Sequence, residues 1–245
     1  MTALVLRLDA PLISFGSTII DRHGFIDRFP GVSMLCGLIA NALGWEHGDF
    51  ARLQALQERI EFAARWDVPP ERMVDYHTVD LGQSKMSEPG WTTRGVPEHR
   101  EGGLSARLGT HERLRHYWTD GLMTVVLTLK GNGDPTIDQV RNALKFPARP
   151  LFLGRKTCLP SRPILDPVSP VVEGTDVLTI LRSVPVWDRF GIPLDNAGRR
   201  QACWPGELDS EETAELRWVH DLRDWANQLP AGSRLRAEGL IGEED

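Results

Sequence analysis

Two short stretches of this chain gather the side chains that could act on a phosphodiester. One is Asp75-Tyr76-His77-Thr78-Val79; the other runs His111-Glu112-Arg113-Leu114-Arg115-His116-Tyr117-Trp118-Thr119-Asp120. His77, His111 and His116, beside Tyr76, Tyr117 and Arg115, could cut RNA without a metal. One imidazole would deprotonate the 2′-hydroxyl, another would protonate the leaving oxygen, and an arginine would stabilise the charged phosphorane. The same groups could instead hold RNA, with arginine on phosphate and aromatic rings under splayed bases. A third reading has Tyr76 and Tyr117 packing beneath a loop. No fixed spacing ties the set to a catalytic motif, and the balance favours binding, with no catalytic residue assigned. Gly154-Arg155-Lys156 forms a second candidate, a tight turn that offers two cations beside backbone N–H groups. It is not a Walker motif, because the glycine spacing and the following Ser are missing. No His-Glu-x-x-His or Cys-x-x-Cys occurs, so neither a metal nor a cofactor is expected.

The elements that must position these residues follow from the hydrophobic periods. Both stretches are rich in Tyr, Thr, Val and Trp, which suit strands. The segment between them holds glycines, Pro89, Pro97, Trp91 and scattered Arg and His with no period. That makes residues 75–121 a long protruding hairpin, far beyond the usual connection of about 4–6 residues. Upstream, residues 3–9 alternate as a first strand. Residues 17–30 read as a loop containing Arg22, His23 and Arg28. Ser33 caps an apolar helix that ends at Gly44, Asp49 caps a second helix, and residues 60–66 alternate again. Downstream come a strong strand at 122–130, a helix started by Asp134-Pro135, and a short apolar strand or turn at 151–158. A strand is expected at 177–184. Asp209 and Glu212 make a capping box for a helix to about residue 229, with Trp218 and Trp225 on one face. The last residues, 242–245, are expected to fray. The order strand, helix, strand, then strand, helix, strand is the split βαβ, ferredoxin-like arrangement, an α+β layout shared with RNA-recognition (RRM-like) modules.

The 245 residues suffice for one large domain or two small ones, with 41% hydrophobic and 25% charged residues. No apolar run is long enough to span a membrane, and the alternating, charged N-terminus reads as a strand and not a signal peptide. Cys36, Cys158 and Cys203 are scattered and odd in number, which fits a reducing cytoplasm. The net charge of −6 is unevenly spread. Residues 207–245 carry eleven acids against four arginines, so the remainder is slightly positive. Residues 141–165 hold Arg141, Lys145, Arg149, Arg155, Lys156 and Arg162 with no acid. Screening confines charge effects to about 8–10 Å, so such a patch can hold phosphate whatever the net charge; a solvated surface is the plainer alternative.

Several ordered segments give the chain a resemblance. They are Leu4-Val5-Leu6-Arg7-Leu8 with Phe15-Gly16, then Arg28-Phe29-Pro30 leading into Ser33 and the helix through Leu43-Gly44. Leu53-Gln54-Ala55-Leu56 precedes Phe62-Ala63-x-Arg65. Asp75-Tyr76-His77-Thr78-Val79 and Arg115-x-Tyr117-x-x-Asp120 bracket the hairpin, and Phe152-Leu153-Gly154-Arg155-Lys156-x-Cys158-x-Pro160 closes the series. In this order the chain resembles the CasD family of the RAMP superfamily, ferredoxin-like RNA-binding subunits of the CRISPR Cascade surveillance complex. The resemblance implies a ferredoxin-like RAMP domain over residues 1–165, with the hairpin at about 75–121 as its thumb. A partly helical C-terminal region would follow over 166–245. It further implies a non-catalytic, cytoplasmic subunit without cofactors that holds the 5′ handle of the guide RNA and caps the backbone filament. Its partners would be a CasC-like backbone subunit, a CasA-like large subunit and, through the assembled complex, target DNA. By the same analogy Arg28, Ser33, Tyr76, His77, Arg107, Arg113, Arg115, Arg155 and Lys156 would contact RNA, and Trp91 and Arg94 would form the thumb wedge. A related branch cuts repeat RNA with a Tyr, a Lys and a His. Here no lysine lies beside His116-Tyr117, so that triad does not carry over, and metal-independent cleavage stays as the alternative. Two departures stand out: Phe15 replaces the usual tryptophan, and the acidic segment near 209–229 has no counterpart in the family pattern.

Overall fold

The structure is a computed structural model that describes residues 1–80, 90–91, 97–98, 110–195, 197–208 and 214–242. Alternation in β1 (Thr2–Asp9) sends Leu4, Leu6 and Leu8 to one face and Ala3, Val5, Arg7 and Asp9 to the other. Both faces are buried, the charged residues included. β5 (Ile60–Val68), β10 (Leu122–Leu129) and β11 (Val171–Glu173) join it in the spatial order β11-β1-β10-β5, all antiparallel. This is the order 4-1-3-2 of a split βαβ sheet, as the sequence implied. Helices α1 (Val32–Ala42), α2 (Phe50–Arg59) and α3 (Ile137–Lys145) pack the Leu4, Leu6 and Leu8 side into one apolar core.

Four local expectations are corrected. The fourth strand is β11 and not residues 151–158, for which the turn and not the strand reading holds (Leu153 N donates to Cys158 O at 2.8 Å, and Cys158 N to Arg155 O at 2.9 Å). Gly154 has φ +102, and a Cβ there would lie 1.7 Å from the Ser14 carbonyl oxygen, so only glycine fits. The expected strand at 177–184 is a helix, α4 (Val177–Ser183). The Asp176 carboxylate accepts the Thr179 N–H at 2.8 Å, and the cap together with burial of Val177, Leu178, Ile180 and Leu181 outweighs β-branched propensity. Helix α3 starts later than the Asp134-Pro135 signal suggested, at a Thr136–Gln139 capping box. The acidic helix is absent from the described part of 209–229. Residues 209–213 and 243–245 lie outside the described residues, and the remainder forms β13 (Glu215–Val219), β14 (Arg223–Asp224) and β15 (Leu229–Pro230). The edge of β16 (Arg234–Ile241) captures β13, and Trp225 is buried while Trp218 is 69% exposed. Through β12 (Arg200–Pro205), these strands extend the main sheet beyond β5 to seven strands, ending β5-β12-β16-β13.

The second face of the main sheet is closed by α4 and the segment around it. Register places Arg7, Thr124 and Arg65 side by side on β1, β10 and β5, with Asp67 one step along. Arg7 donates to Asp67 and Asp166, each at 2.8 Å, and Arg65 donates to Asp67 at 2.8 Å. Arg65 also caps the end of α4 through the carbonyls of Leu181 and Val184, both at 3.0 Å. Arg7 reaches the Pro185 carbonyl and lies 4.0 Å from the Trp187 ring centre, while Trp187 N donates to Asp67 at 2.9 Å. Burial depresses the Arg7 guanidinium below its ordinary value even with Asp67 and Asp166 beside it. Burial alone would raise the Asp166 carboxyl. The Ser169 N–H, the Arg7 guanidinium and the Val168 N–H bring it below the usual carboxylate value. An RRM-like module leaves this face open to bases; here it is filled.

A second sheet leans on this body. It comprises β2 (Leu12–Ile13), β3 (Gly16–Ile20), β4 (His23–Ile26), β6 (Glu71–Asp80) and β9 (Thr110–Thr119). Residues 17–30 are therefore not simply a loop: Asp21-Arg22 turns the β3–β4 hairpin, with Asp21 at φ +52.

Removal of the Asp67 carboxylate would leave two buried guanidiniums without their shared partner. Asp67→Ala is expected to cost about 3–5 kcal/mol of unfolding free energy, measured by urea denaturation. A loss below about 1 kcal/mol would show that water or a shifted chain compensates.

Candidate nucleic-acid interface

The hairpin stem pairs β6 and β9 antiparallel, from Glu71↔Thr119 to Asp80↔Thr110. Beyond it, Gly90–Trp91 (β7) and Pro97–Glu98 (β8) pair with each other. Arg94 and Arg107 lie outside the described residues, and Trp91 is described in its backbone alone. The register sorts the candidate side chains, because neighbours along a strand point to opposite faces. Asp75 with Arg115, His77 with Arg113, and Met73 with Tyr117 share one face. Val74 with His116, Tyr76 with Leu114, and Arg72 with Trp118 share the other. The sequence brought His77, His116 and Tyr76 together as one set; the strands divide it.

On the first face the root is core and the tip is basic. Tyr117 is buried, and the Arg155 guanidinium lies 4.9 Å from its ring centre. Arg155 donates to the His116 carbonyl at 2.8 Å and the Gly24 carbonyl at 3.0 Å, so its charge clamps β9 to β4. Gly24 permits this, since a Cβ there would meet Arg155 at 2.9 Å. Lys156, next in the chain, is exposed. Arg113 and Arg115 are exposed and have no ion-pair partner among the described residues. His77 is tied to the Asp75 carboxylate on the same strand face.

On the second face, residues that the sequence did not single out join in. β4 runs parallel to β9 with His23 opposite Leu114 and Gly24 opposite Arg115, so Phe25 falls beside His116. The His23 and Phe25 rings stack at 5.3 Å and 9°, Phe25 and His116 lie 4.9 Å apart, and His23 Nδ1 is 3.4 Å from His116 Nε2. Tyr76, 56% exposed, donates its hydroxyl to Glu112 at 2.7 Å, and Arg22 pairs with Glu112 at 2.5 Å. The hydrogen bond to Glu112 raises the Tyr76 phenol above its ordinary value, and the same bond lowers the Glu112 carboxyl. Burial, then the charges of Arg72, His23 and Arg155, hold the His116 imidazole below the ordinary histidine value. The alternation His23-x-Phe25 was the available signal, hidden by its shortness.

Arg28 is exposed, and its carbonyl accepts the Trp66 indole N–H at 3.2 Å. Ser33 is not the cap of α1, which Gly31 occupies with no side-chain bond. Asp221 takes over that task from far along the chain: its carbonyl accepts the Ser33 N–H at 3.0 Å and its carboxylate the Val32 N–H at 3.2 Å. No cluster of His, Cys, Asp and Glu fit to hold a metal occurs among the described residues.

Comparison with known proteins adds the following. Residues 3–236 match the family described as CRISPR-associated protein (Cas_Cas5). The chain is 31% identical over 169 residues to the CRISPR system Cascade subunit CasD of Escherichia coli (strain K12), covering 66% of this chain and 68% of that one. Its fold is similar to a chain of a solved CRISPR RNA-guided surveillance complex, at TM-score 0.66 and 24% identity, over 98% of this chain and 89% of the other. It is also similar to a solved Cas protein, at TM-score 0.57 and 23% identity, over 98% and 93%.

The imidazole of His116 should set part of the pH dependence of stability. The unfolded chain binds its proton near pH 6.5, before the folded chain does, so stability falls as pH drops below about 6.5. In His116→Phe that loss between pH 7.5 and 5.5 should shrink, as read by denaturation at both pH values. An unchanged difference would place the pH dependence elsewhere.

Proposed function

The chain belongs to the CRISPR-associated Cas5 family, and we propose that it serves as a non-catalytic RNA-binding subunit of a Cascade-type surveillance complex. In this reading it holds the 5′ handle of the guide RNA and caps the backbone filament against a CasC-like neighbour. It adjoins a CasA-like large subunit and supports recognition of foreign DNA through the assembled complex. The similarity to a Cascade subunit supports the setting. The observation that carries the RNA contact is the pair Arg113 and Arg115, exposed on one face of the hairpin stem with no ion-pair partner among the described residues. Lys156 is exposed on the adjoining turn. Arginine forks bind phosphate in two directions at once. Tyr76, His77, Arg28 and, in the distal hairpin, Trp91, Arg94 and Arg107 complete the proposed RNA-binding set. Ser33 and Arg155 belong to that set through the surfaces they shape, since the Ser33 N–H and the Arg155 guanidinium already serve the fold.

The placement of the histidines favours binding over cleavage. General acid–base cutting needs two proton carriers flanking one phosphate. His77 and His116 point to opposite faces of the stem, His77 is held by Asp75, and His23 and His116, on one face, meet at 3.4 Å with no room for a phosphate between them. No helix is long and apolar enough to cross a membrane among the described residues.

Arg113→Ala together with Arg115→Ala should weaken guide-RNA retention in the assembled complex. It should also flatten the dependence of log affinity on log salt by about 0.7 for each phosphate that is no longer neutralised. Unchanged retention and slope would remove the handle from this face. Repeat RNA incubated with the protein in chelator should stay whole; a specific cut that disappears in His116→Ala would restore the nuclease reading.

A further inference from the structure

Base-stacking aromatics in RRM-like modules stand on the main sheet. In this chain that surface is closed by α4 and the buried ion cluster. The hairpin sheet offers a different one. Across four strands, Tyr76, Leu114, His23 and Ile20 form one row, because β6 pairs β9, β9 pairs β4 and β4 pairs β3 at these residues. The next row holds Val74, His116 and Phe25. Tyr76, Val74 and Ile20 are half or more exposed.

We propose that this face, built on Tyr76, His23, Phe25 and His116, is a stacking platform for an unpaired base of the guide RNA. The proposal rests on the RNA-binding reading above and adds a base site on the side of the stem opposite Arg113 and Arg115. The following observations point to a base as the occupant. The rings of His23, Phe25 and His116 already lie within stacking distance of one another, which fixes them before binding. Guanidiniums stand at both ends of the face: Arg22 beside Glu112, and Arg72 at 5.6 Å over Trp118. The acid in the row beyond Tyr76, Glu112, is occupied by Arg22 and by the Tyr76 hydroxyl. The low proton affinity of His116 keeps its ring neutral near pH 7, so it stacks as an aromatic and adds no charge. A purely apolar protein groove would not need flanking guanidiniums; single-stranded RNA, with a phosphate on each side of every base, does.

The test is a competition during assembly of the complex. Intact guide RNA is mixed with guides that lack one base at successive positions of the repeat-derived 5′ segment, and the RNA taken up is sequenced. At one position the wild-type complex should favour the intact guide by about tenfold, the worth of one stacked base. In Tyr76→Ala, whose side chain is mostly exposed, and in Phe25→Leu, that preference should fall towards one. The measure is a ratio within each preparation, so modest loss of stability in a variant does not mimic the effect. A tenfold preference that persists in both variants overturns the platform while leaving RNA binding in place. So does loss of a protein subunit from the variants with the preference intact, which marks the face as a protein contact. Assembly with no RNA at all overturns the RNA-binding reading itself, and the platform with it.

Discussion

The buried cluster of Arg7, Arg65, Asp67 and Asp166 constrains everything else in the fold. Two guanidiniums and two carboxylates removed from water cost several kcal/mol each unless every charge is paired and hydrogen-bonded. Here they are: the two arginines divide their donors among Asp67, Asp166 and the carbonyls of Leu181, Val184 and Pro185. The partners come from β1, β5 and the stretch from residue 166 to 187. The cluster therefore forms only when that stretch lies across the sheet. An apolar cap could slide or rock, whereas this one has a single register in which all its charges are matched.

One consequence concerns where nucleic acid can go. A split βαβ sheet with one face open would place bases on its central strands. With both faces filled, the proposed binding surface is the hairpin sheet that grows from the strand ends. That sheet is anchored in turn by charge. Arg155 joins β9 to β4 through two carbonyls, Arg236 on β16 reaches Asp27 just beyond β4, and the Trp118 indole donates to the Asp27 carbonyl at 2.7 Å. The stem thus has two chemically distinct sides, one exposing Arg113 and Arg115, the other carrying the ring cluster of His23, Phe25 and His116.

Much of this was legible in the sequence, for reasons that residues make plain. The strands at 2–9, 60–68 and 122–129 and the two stem strands carry strict alternation or long β-branched runs, and α1 carries an unbroken apolar face. The basic and aromatic character of the stem could be read as well. Harder to read were features set by distant partners. Val177-Leu178-Thr179-Ile180-Leu181 suits strand or helix equally until Asp176 caps it and Arg65 closes its end. Trp218 and Trp225 share a helical spacing, but the free edge of β16 offers hydrogen bonds that a solvated helix would not match. The cap of α1 comes from Asp221, and no window around Ser33 contains it. Within the candidate site, the residue types were apparent but their sides were not. That required the β6–β9 register, since a slip of one residue would exchange the two faces.

The most direct measurement is photo-crosslinking of the guide RNA in the assembled complex, with the linked peptides mapped by mass spectrometry. Crosslinks are expected on residues 20–25, 72–79 and 112–118, with ring-bearing residues joined to bases of the 5′ segment. Crosslinks concentrated instead on the main-sheet strands at 200–205 and 234–241, with none on the hairpin stem, would contradict the assignment of RNA to the hairpin sheet.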